Sequence, residues 1–244
     1  MFDSGQSSVN QRNRPWLTIG QAMAAMLAPP VCALCGADGQ LLDEPWGLDL
    51  CSSCEAACAA APAETLPFDA VFCPYRYQHP VDLMITRLKF QHELVFGRVL
   101  GMQLARAWHA EGRAAPECIV PMPLHRDRYR ERGFCQTTEI ARHLAPRLRG
   151  TSGRSPPIRT DLLQRLRATR AQSGLDAGER AMNLKDAFAM PATCRPPRHV
   201  ALLDDVMTTG HTALAAARVL KSAGVARVEI WCCARALRAG APWP

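Results

Sequence analysis

The chain has 244 residues, a formal charge of +7 and 48% hydrophobic residues. That length holds one α/β domain with a small accessory module, and the apolar fraction excludes wholesale disorder. No apolar run approaches the roughly 18 residues of a membrane span, and the arginine-rich charge excess favours acidic partners such as nucleic acid or phosphate-rich ligands.

In chain order, residues 1–29 form an N-terminal extension. Running through its second half to the start of the next module, the apolar stretch from Trp16 to Val31, preceded by Arg12 and Arg14, imitates a signal peptide. Gln21 interrupts that stretch, and a buried or partner-contacting helix is expected instead. Residues 30–60 are cysteine-rich. Cys32-Ala33-Leu34-Cys35 and Cys51-Ser52-Ser53-Cys54 are two knuckles with fifteen residues between them, a spacing that suits a tetrahedral zinc site. Four thiolates leave no open position for water, so Zn²⁺ is expected to be structural and the module a zinc ribbon. Cys58 is the alternative ligand. The odd total of eleven cysteines argues against a secreted disulfide framework and for a reducing compartment, so a cytoplasmic location is expected.

Ala56 to Pro67 reads as a linker into an α/β domain spanning 66–244. Ala70 to Tyr77 predicts one or two short strands, with Pro74 breaking the middle. Val81–Phe90 and Glu93–His109 are expected helices, the second with Phe96, Val99, Leu100, Leu104 and Ala107 on one face. Cys118–Pro121 is a short buried strand running into a basic loop, Met122 to Arg132, and Phe134–Leu148 is another helix. Residues 150–185 lack periodicity and read as a functional loop. His199–Leu203 is a continuous apolar run, which suits a parallel strand covered on both faces. A helix from Thr212 to Ala223, closed by Gly224, and a strand from Val225 to Cys232 complete a βαβ unit.

The informative string is Leu202-Leu203-Asp204-Asp205-Val206-Met207-Thr208-Thr209-Gly210-His211-Thr212. Ligands of open parallel sheets bind beyond the carboxyl ends of the strands, where the two aspartates are expected. Backbone N–H groups of a turn leading into a helix form an anion site. Thr208, Thr209 and Thr212 add hydroxyl donors, and Gly210 admits a close phosphate. The acidic pair suits sugar hydroxyls and a hydrated Mg²⁺. Strand-Asp-Asp alone reads as a helix cap or a solvated loop; the whole string is more specific and resembles the phosphoribosyl-pyrophosphate signature of type I phosphoribosyltransferases. No GxxxxGK[ST] or GxGxxG sequence occurs, which leaves a P-loop or dinucleotide fold without support. The arginines at 126, 128, 130 and 132 supply donors of the kind a pyrophosphate needs.

Several motifs in order carry a wider resemblance. They are the two CxxC pairs, Arg87-Leu88-Lys89-Phe90, Pro121-Met122-Pro123-Leu124, Arg132-Gly133-Phe134-Cys135-Gln136, Gln172-Ser173-Gly174-Leu175, Glu179-Arg180-Ala181-Met182-Asn183 and Asp204 to Thr212. From about Cys32 to Arg235 the chain resembles the ComF family, competence-associated proteins that join an N-terminal zinc ribbon to a type I phosphoribosyltransferase-like domain. Cys135 departs from the family's usual asparagine.

The resemblance implies that Asp204, Asp205 and Thr208, Thr209, Gly210, His211 and Thr212 hold the ribose and its 5-phosphate. Lys89 and Arg126 would meet the pyrophosphate of phosphoribosyl pyrophosphate or a similar phosphorylated ribose, with Mg²⁺, and residues 164–183 would close over the ligand. Purine-salvage relatives carry an acidic residue at the place of Thr208, which cannot deprotonate a purine. The expectation is a protein supporting DNA uptake or utilisation, with single-stranded DNA or the uptake machinery as partners and its catalytic status open. The alternatives are a phosphoribosyltransferase acting on an unidentified nitrogen acceptor and a ligand-sensing, nucleic-acid-binding regulator.

Overall fold

The computed structural model describes residues 31–37, 50–61, 68–149, 153–167 and 187–236. The chain divides into two compact units, Met1–Ser52 and Ser53–Pro244. Residues 16–30 of the apolar stretch, the motifs at 172–175 and 179–183, and most of the expected closing loop lie outside the described residues.

The elements are α1 (Ser52–Ala56), β1 (Ala70–Phe72), β2 (Tyr75–Arg76), α2 (Val81–Phe90), α3 (Val95–Ala110), β3 (Cys118–Pro121), α4 (Arg126–Arg132) and α5 (Gln136–Leu144), which a 3₁₀ turn extends over Ala145–Arg147. β4 (Gln164–Arg165), β5 (Phe188–Ala189), β6 (His199–Met207), α6 (His211–Ser222) and β7 (Arg227–Arg235) follow.

The main sheet has the order β1-β7-β6-β3, with β2 also on β7, and every pairing in it is parallel. The expected α/β class and parallel sheet are thus present. Pro74 falls in the gap between β1 and β2, as a residue without an N–H donor should. β6 and β7 lie side by side, joined through α6, and their central residues are buried on both faces. Val200 and Leu202 of β6, with Val228 and Ile230 of β7, share a core with Ala213, Ala216, Ala217 and Leu220 of α6. The opposite face carries Trp231, whose ring meets Phe72 edge-on at 5.5 Å. The expected helix over Glu93–His109 appears as α3. It packs closely on α5, because a Cβ at Gly101 would lie 2.6 Å from the Ile140 carbonyl oxygen.

At the amino-terminal end of the sheet, Glu229 is buried and fully partnered. It accepts from Arg227 Nε at 2.9 Å, Trp231 Nε1 at 3.0 Å and Arg113 Nη2 at 3.3 Å, and meets His199 Nε2 at 3.0 Å. Burial opposes its charge, but these bonds and the neighbouring cations hold its pKa low.

Three expectations change. Part of the expected basic loop is a helix: α4 spans seven residues of which four are arginine, so no apolar stripe announces it. Its stop is Gly133, at φ 75°. β6 runs on to Met207 rather than ending at Leu203, which places Asp204 and Asp205 inside the strand. The described part of the expected loop 150–185 includes β4, which pairs antiparallel with β5 in a separate two-stranded sheet.

Candidate functional site

Asp204 and Asp205 are consecutive strand residues, so their side chains leave the sheet on opposite faces. Asp205 turns toward α2 and α5 and is 4% exposed. Its Oδ2 meets Lys89 Nζ, from the last turn of α2, at 2.8 Å. The same oxygen accepts from Gln136 Nε2, at the start of α5, also at 2.8 Å. Gln136 is oriented by Arg132 Nη1, which donates to its Oε1 at 2.5 Å. Asp205 Oδ1 accepts from the Val206 N–H at 2.7 Å. Both oxygens of Asp205 are therefore engaged.

Asp204 is differently placed. Its Oδ1 accepts from the Asp205 N–H at 2.9 Å, and among the described residues its other oxygen takes no hydrogen bond. Burial, together with the Asp205 carboxylate, pushes its pKa up to about 7, against the pull of Lys89 and Arg165. Lys89 shows the complementary effect. Burial works against its charge, but the two aspartates outweigh burial and raise its pKa.

Beyond Met207 the chain turns into α6. Gly210 caps that helix at φ 70°, a left-handed conformation that L side chains rarely adopt. Leu214 is the first residue to donate back, to the Gly210 carbonyl at 2.8 Å. Among the described residues, the N–H groups of Thr208 to Ala213 donate no hydrogen bond, so the turn presents a row of free donors at a helix N-terminus. Thr208 is exposed and Thr212 half-buried. Thr209 Oγ1 lies 2.7 Å from His211 Nδ1, which fixes both side chains at the mouth of the turn.

The structure thus brings Lys89 to the acidic pair, and it leaves Arg126 exposed at the start of α4. Arg132, expected only as one of four pyrophosphate donors, orients Gln136, which sequence reasoning did not assign to the site; the signal for Gln136 was its place in the Arg132–Gln136 motif. Cys135 caps α5 without a side-chain hydrogen bond to that helix's N–H groups; its Sγ lies 3.1 Å from Thr137 Oγ1.

The four cysteines at 32, 35, 51 and 54 have all their sulfurs within 4.8 Å of one another. Cys35 and Cys51 sulfurs are 3.6 Å apart. Four thiolates about 2.3 Å from a tetrahedral ion are roughly 3.8 Å from each other, so this group can hold a structural zinc. Burial disfavours the Cys32 thiolate, but the N–H groups of Cys51, Cys35 and Leu34 prevail and lower its pKa to about 6. Cys58 is turned elsewhere, its Sγ 3.5 Å from the Cys54 carbonyl.

No family model matches the chain. Competence protein F of Haemophilus influenzae is 34% identical over 166 residues, which cover 66% of this chain and 70% of that protein. The chain belongs to the ComF family. The DNA utilization protein YhgH of Salmonella typhimurium is 34% identical, and that of Escherichia coli K12 32% identical, each over 66% of this chain and 70% of the relative. Among the described residues of this ComF-family chain, no helix is long and apolar enough to cross a membrane.

The cysteine cluster and the acidic pair can each be tested. Protein purified without added metal should carry one zinc per chain by elemental analysis, and Cys51→Ser should lose it and loosen the segment around the knuckles. A metal content near zero, or an unchanged content in the variant, contradicts the zinc assignment. The folded pKa of Asp204 stands above the unfolded value of about 3.9. Between about pH 4 and pH 7 the unfolded chain loses a proton that the folded chain keeps, so this group lowers stability as pH rises through that window. Asp204→Asn should therefore melt higher than the parent at pH 8, by about 2–4 °C for about 1 kcal/mol, with the gain shrinking toward pH 4.5. A pH-independent loss of stability would contradict a raised folded-state pKa for Asp204.

Proposed function

We propose that this chain binds phosphoribosyl pyrophosphate, or a similar phosphorylated ribose, together with Mg²⁺, in a role that supports the uptake or use of DNA. The observation that carries the reading is the pairing of a half-buried carboxylate that keeps one oxygen free with a turn of unbonded N–H groups one strand residue beyond Val206. The turn suits a phosphate, through N–H donors, the helix N-terminus and the threonine hydroxyls. Asp204, acting as an acceptor, suits vicinal ribose hydroxyls.

A divalent cation fits the same donor set. Mg²⁺ prefers carboxylate and phosphate oxygens and keeps several waters, and Asp204 has an oxygen to give it. When bound, it supplies charge neutralisation for a pyrophosphate. The chain's own contribution is orientation: Asp204 fixes the sugar, Gly210 and its neighbours fix the 5-phosphate, and Lys89 supplies positive charge beside them.

Glycosyl transfer to a nitrogen acceptor is the same site used with a second substrate, and pyrophosphate release in the presence of an acceptor identifies it. Thr208 offers no base for such an acceptor.

Isothermal calorimetry with phosphoribosyl pyrophosphate and Mg²⁺ tests the ligand. Asp204→Asn should weaken binding roughly 10- to 100-fold, the equivalent of one charge-assisted hydrogen bond. Gly210→Val should abolish it, by straining the turn and filling the phosphate's approach. Intact affinity in both folded variants contradicts the proposed site.

The DNA role rests on the names of the relatives, on the charge of +7 and on α4, where Arg126, Arg128 and Arg130 are exposed beside Tyr129, itself 52% exposed. Such a face suits a single strand, arginines on phosphates and tyrosine on a base. Binding to a single-stranded oligonucleotide should weaken steeply with salt. Arg128→Glu with Arg130→Glu should reduce the slope of log K against log salt by about 0.7 for each phosphate that the variant no longer neutralises. An unchanged slope excludes α4 from the interface.

A further inference from the structure

Both oxygens of Asp205 already accept from neighbouring donors. Lys89 Nζ and Gln136 Nε2 share Oδ2, each at 2.8 Å, and the Val206 N–H holds Oδ1 at 2.7 Å. Oδ2 has both acceptor positions filled, so a cation or a sugar hydroxyl can take that oxygen only if Lys89 or Gln136 leaves. The two are not equally free to do so. Gln136 is buried on α5 and tied through its other atom to Arg132, whose guanidinium lies over the Phe90 ring at 5.5 Å. Lys89 is a flexible side chain whose position rests on its ammonium group's contact with Asp205.

We propose that Lys89 is a built-in counter-cation of the acidic pair, occupying Asp205 until a pyrophosphate-bearing ligand draws its ammonium away and leaves the carboxylate to the incoming metal. This rests on the functional reading above and adds a division of labour to it. Asp204 is the contact that is ready for ligand, and Asp205 becomes one only after Lys89 has moved away. The arrangement makes the site refuse a divalent cation that arrives without phosphate, because a bare cation must displace Lys89 and offers it no anion in exchange. A metal–pyrophosphate complex brings that anion with it.

The test uses zinc-loaded full-length protein and Mn²⁺ alone, followed by the electron paramagnetic resonance signal of the free ion. Parent protein should bind Mn²⁺ weakly, and Lys89→Met, which keeps length but not charge, should bind it at least tenfold tighter. The melting temperature of zinc-loaded Lys89→Met should rise when Mn²⁺ is added. The parent's melting temperature should move little with Mn²⁺. Mn²⁺ binding by Lys89→Met that is no tighter than the parent's overturns the proposal.

Should Lys89→Met fail to fold, lysine-labelled parent protein gives a second measurement. The ¹⁵N resonance of the Lys89 ammonium should be unmoved by millimolar Mg²⁺ alone and shifted by Mg²⁺ with phosphoribosyl pyrophosphate. A shift with Mg²⁺ alone, or a ligand that binds by calorimetry without moving this resonance, contradicts the exchange. If phosphoribosyl pyrophosphate does not bind the parent at all, the functional reading fails, while the Mn²⁺ comparison still decides the role of Lys89.

Discussion

A half-buried lysine and a buried aspartate, paired at the carboxyl end of the parallel sheet, make the contact on which the candidate site depends. Burying either charge alone is costly, and either partner left alone would be driven to its neutral form. Lys89 sits at the end of α2 and Asp205 within β6, so the ion pair fixes the end of a helix against a strand far away in the chain. Gln136 adds the first turn of α5 to the same oxygen, and Arg132 adds the end of α4. Three helices are thereby held over one carboxylate.

The alternation of side chains along β6 turns that constraint into function. Since Asp205 is committed to the α2 and α5 side, Asp204 emerges on the face that α6 covers, where Arg165 of β4 also acts on its charge. Two adjacent carboxylates cannot both be charged at low cost, and the environment separates them: Asp205 has a cation, and Asp204 keeps its proton to near neutrality. A carboxyl group held near neutrality beside a row of unbonded N–H groups is the combination on which the proposed anion site rests. The Glu229 network at the other end of the sheet offers the contrast, a buried carboxylate whose two oxygens are held by cations and an indole N–H.

How much of this was legible in the sequence depended on the range of the interaction. α2 runs over Val81–Phe90 as its apolar spacing predicts, and the zinc knuckles are visible because their four ligands are local in the chain. The turn after β6 could be read because strand, acidic pair, threonines and glycine are contiguous. α4 could not, since a helix of alternating charges has no apolar face to reveal it. β4 and β5 are two residues each, too short for any period. The extension of β6 through both aspartates was hidden because a strand is expected to stop where its apolar run stops; pairing with Cys232, Ala234 and Arg235 of β7 carries it further. The Lys89–Asp205 contact has no local signal at all. Both residues were candidates on separate grounds, and only the fold joins them. Gln136 lay in a motif that could be recognised before the work of its side chain could be assigned, and Arg132, expected as a pyrophosphate donor, orients that glutamine.

The most direct test of the account is a crystal structure of the protein with Mn²⁺ and phosphoribosyl pyrophosphate, the metal located by its anomalous signal. The account places the 5-phosphate on the N–H groups of Thr208 to Ala213, a ribose hydroxyl on Asp204 and the Lys89 ammonium on the pyrophosphate, clear of hydrogen-bond reach of Asp205. A complex with Lys89 still on Asp205 and Asp204 untouched by sugar or metal would contradict it.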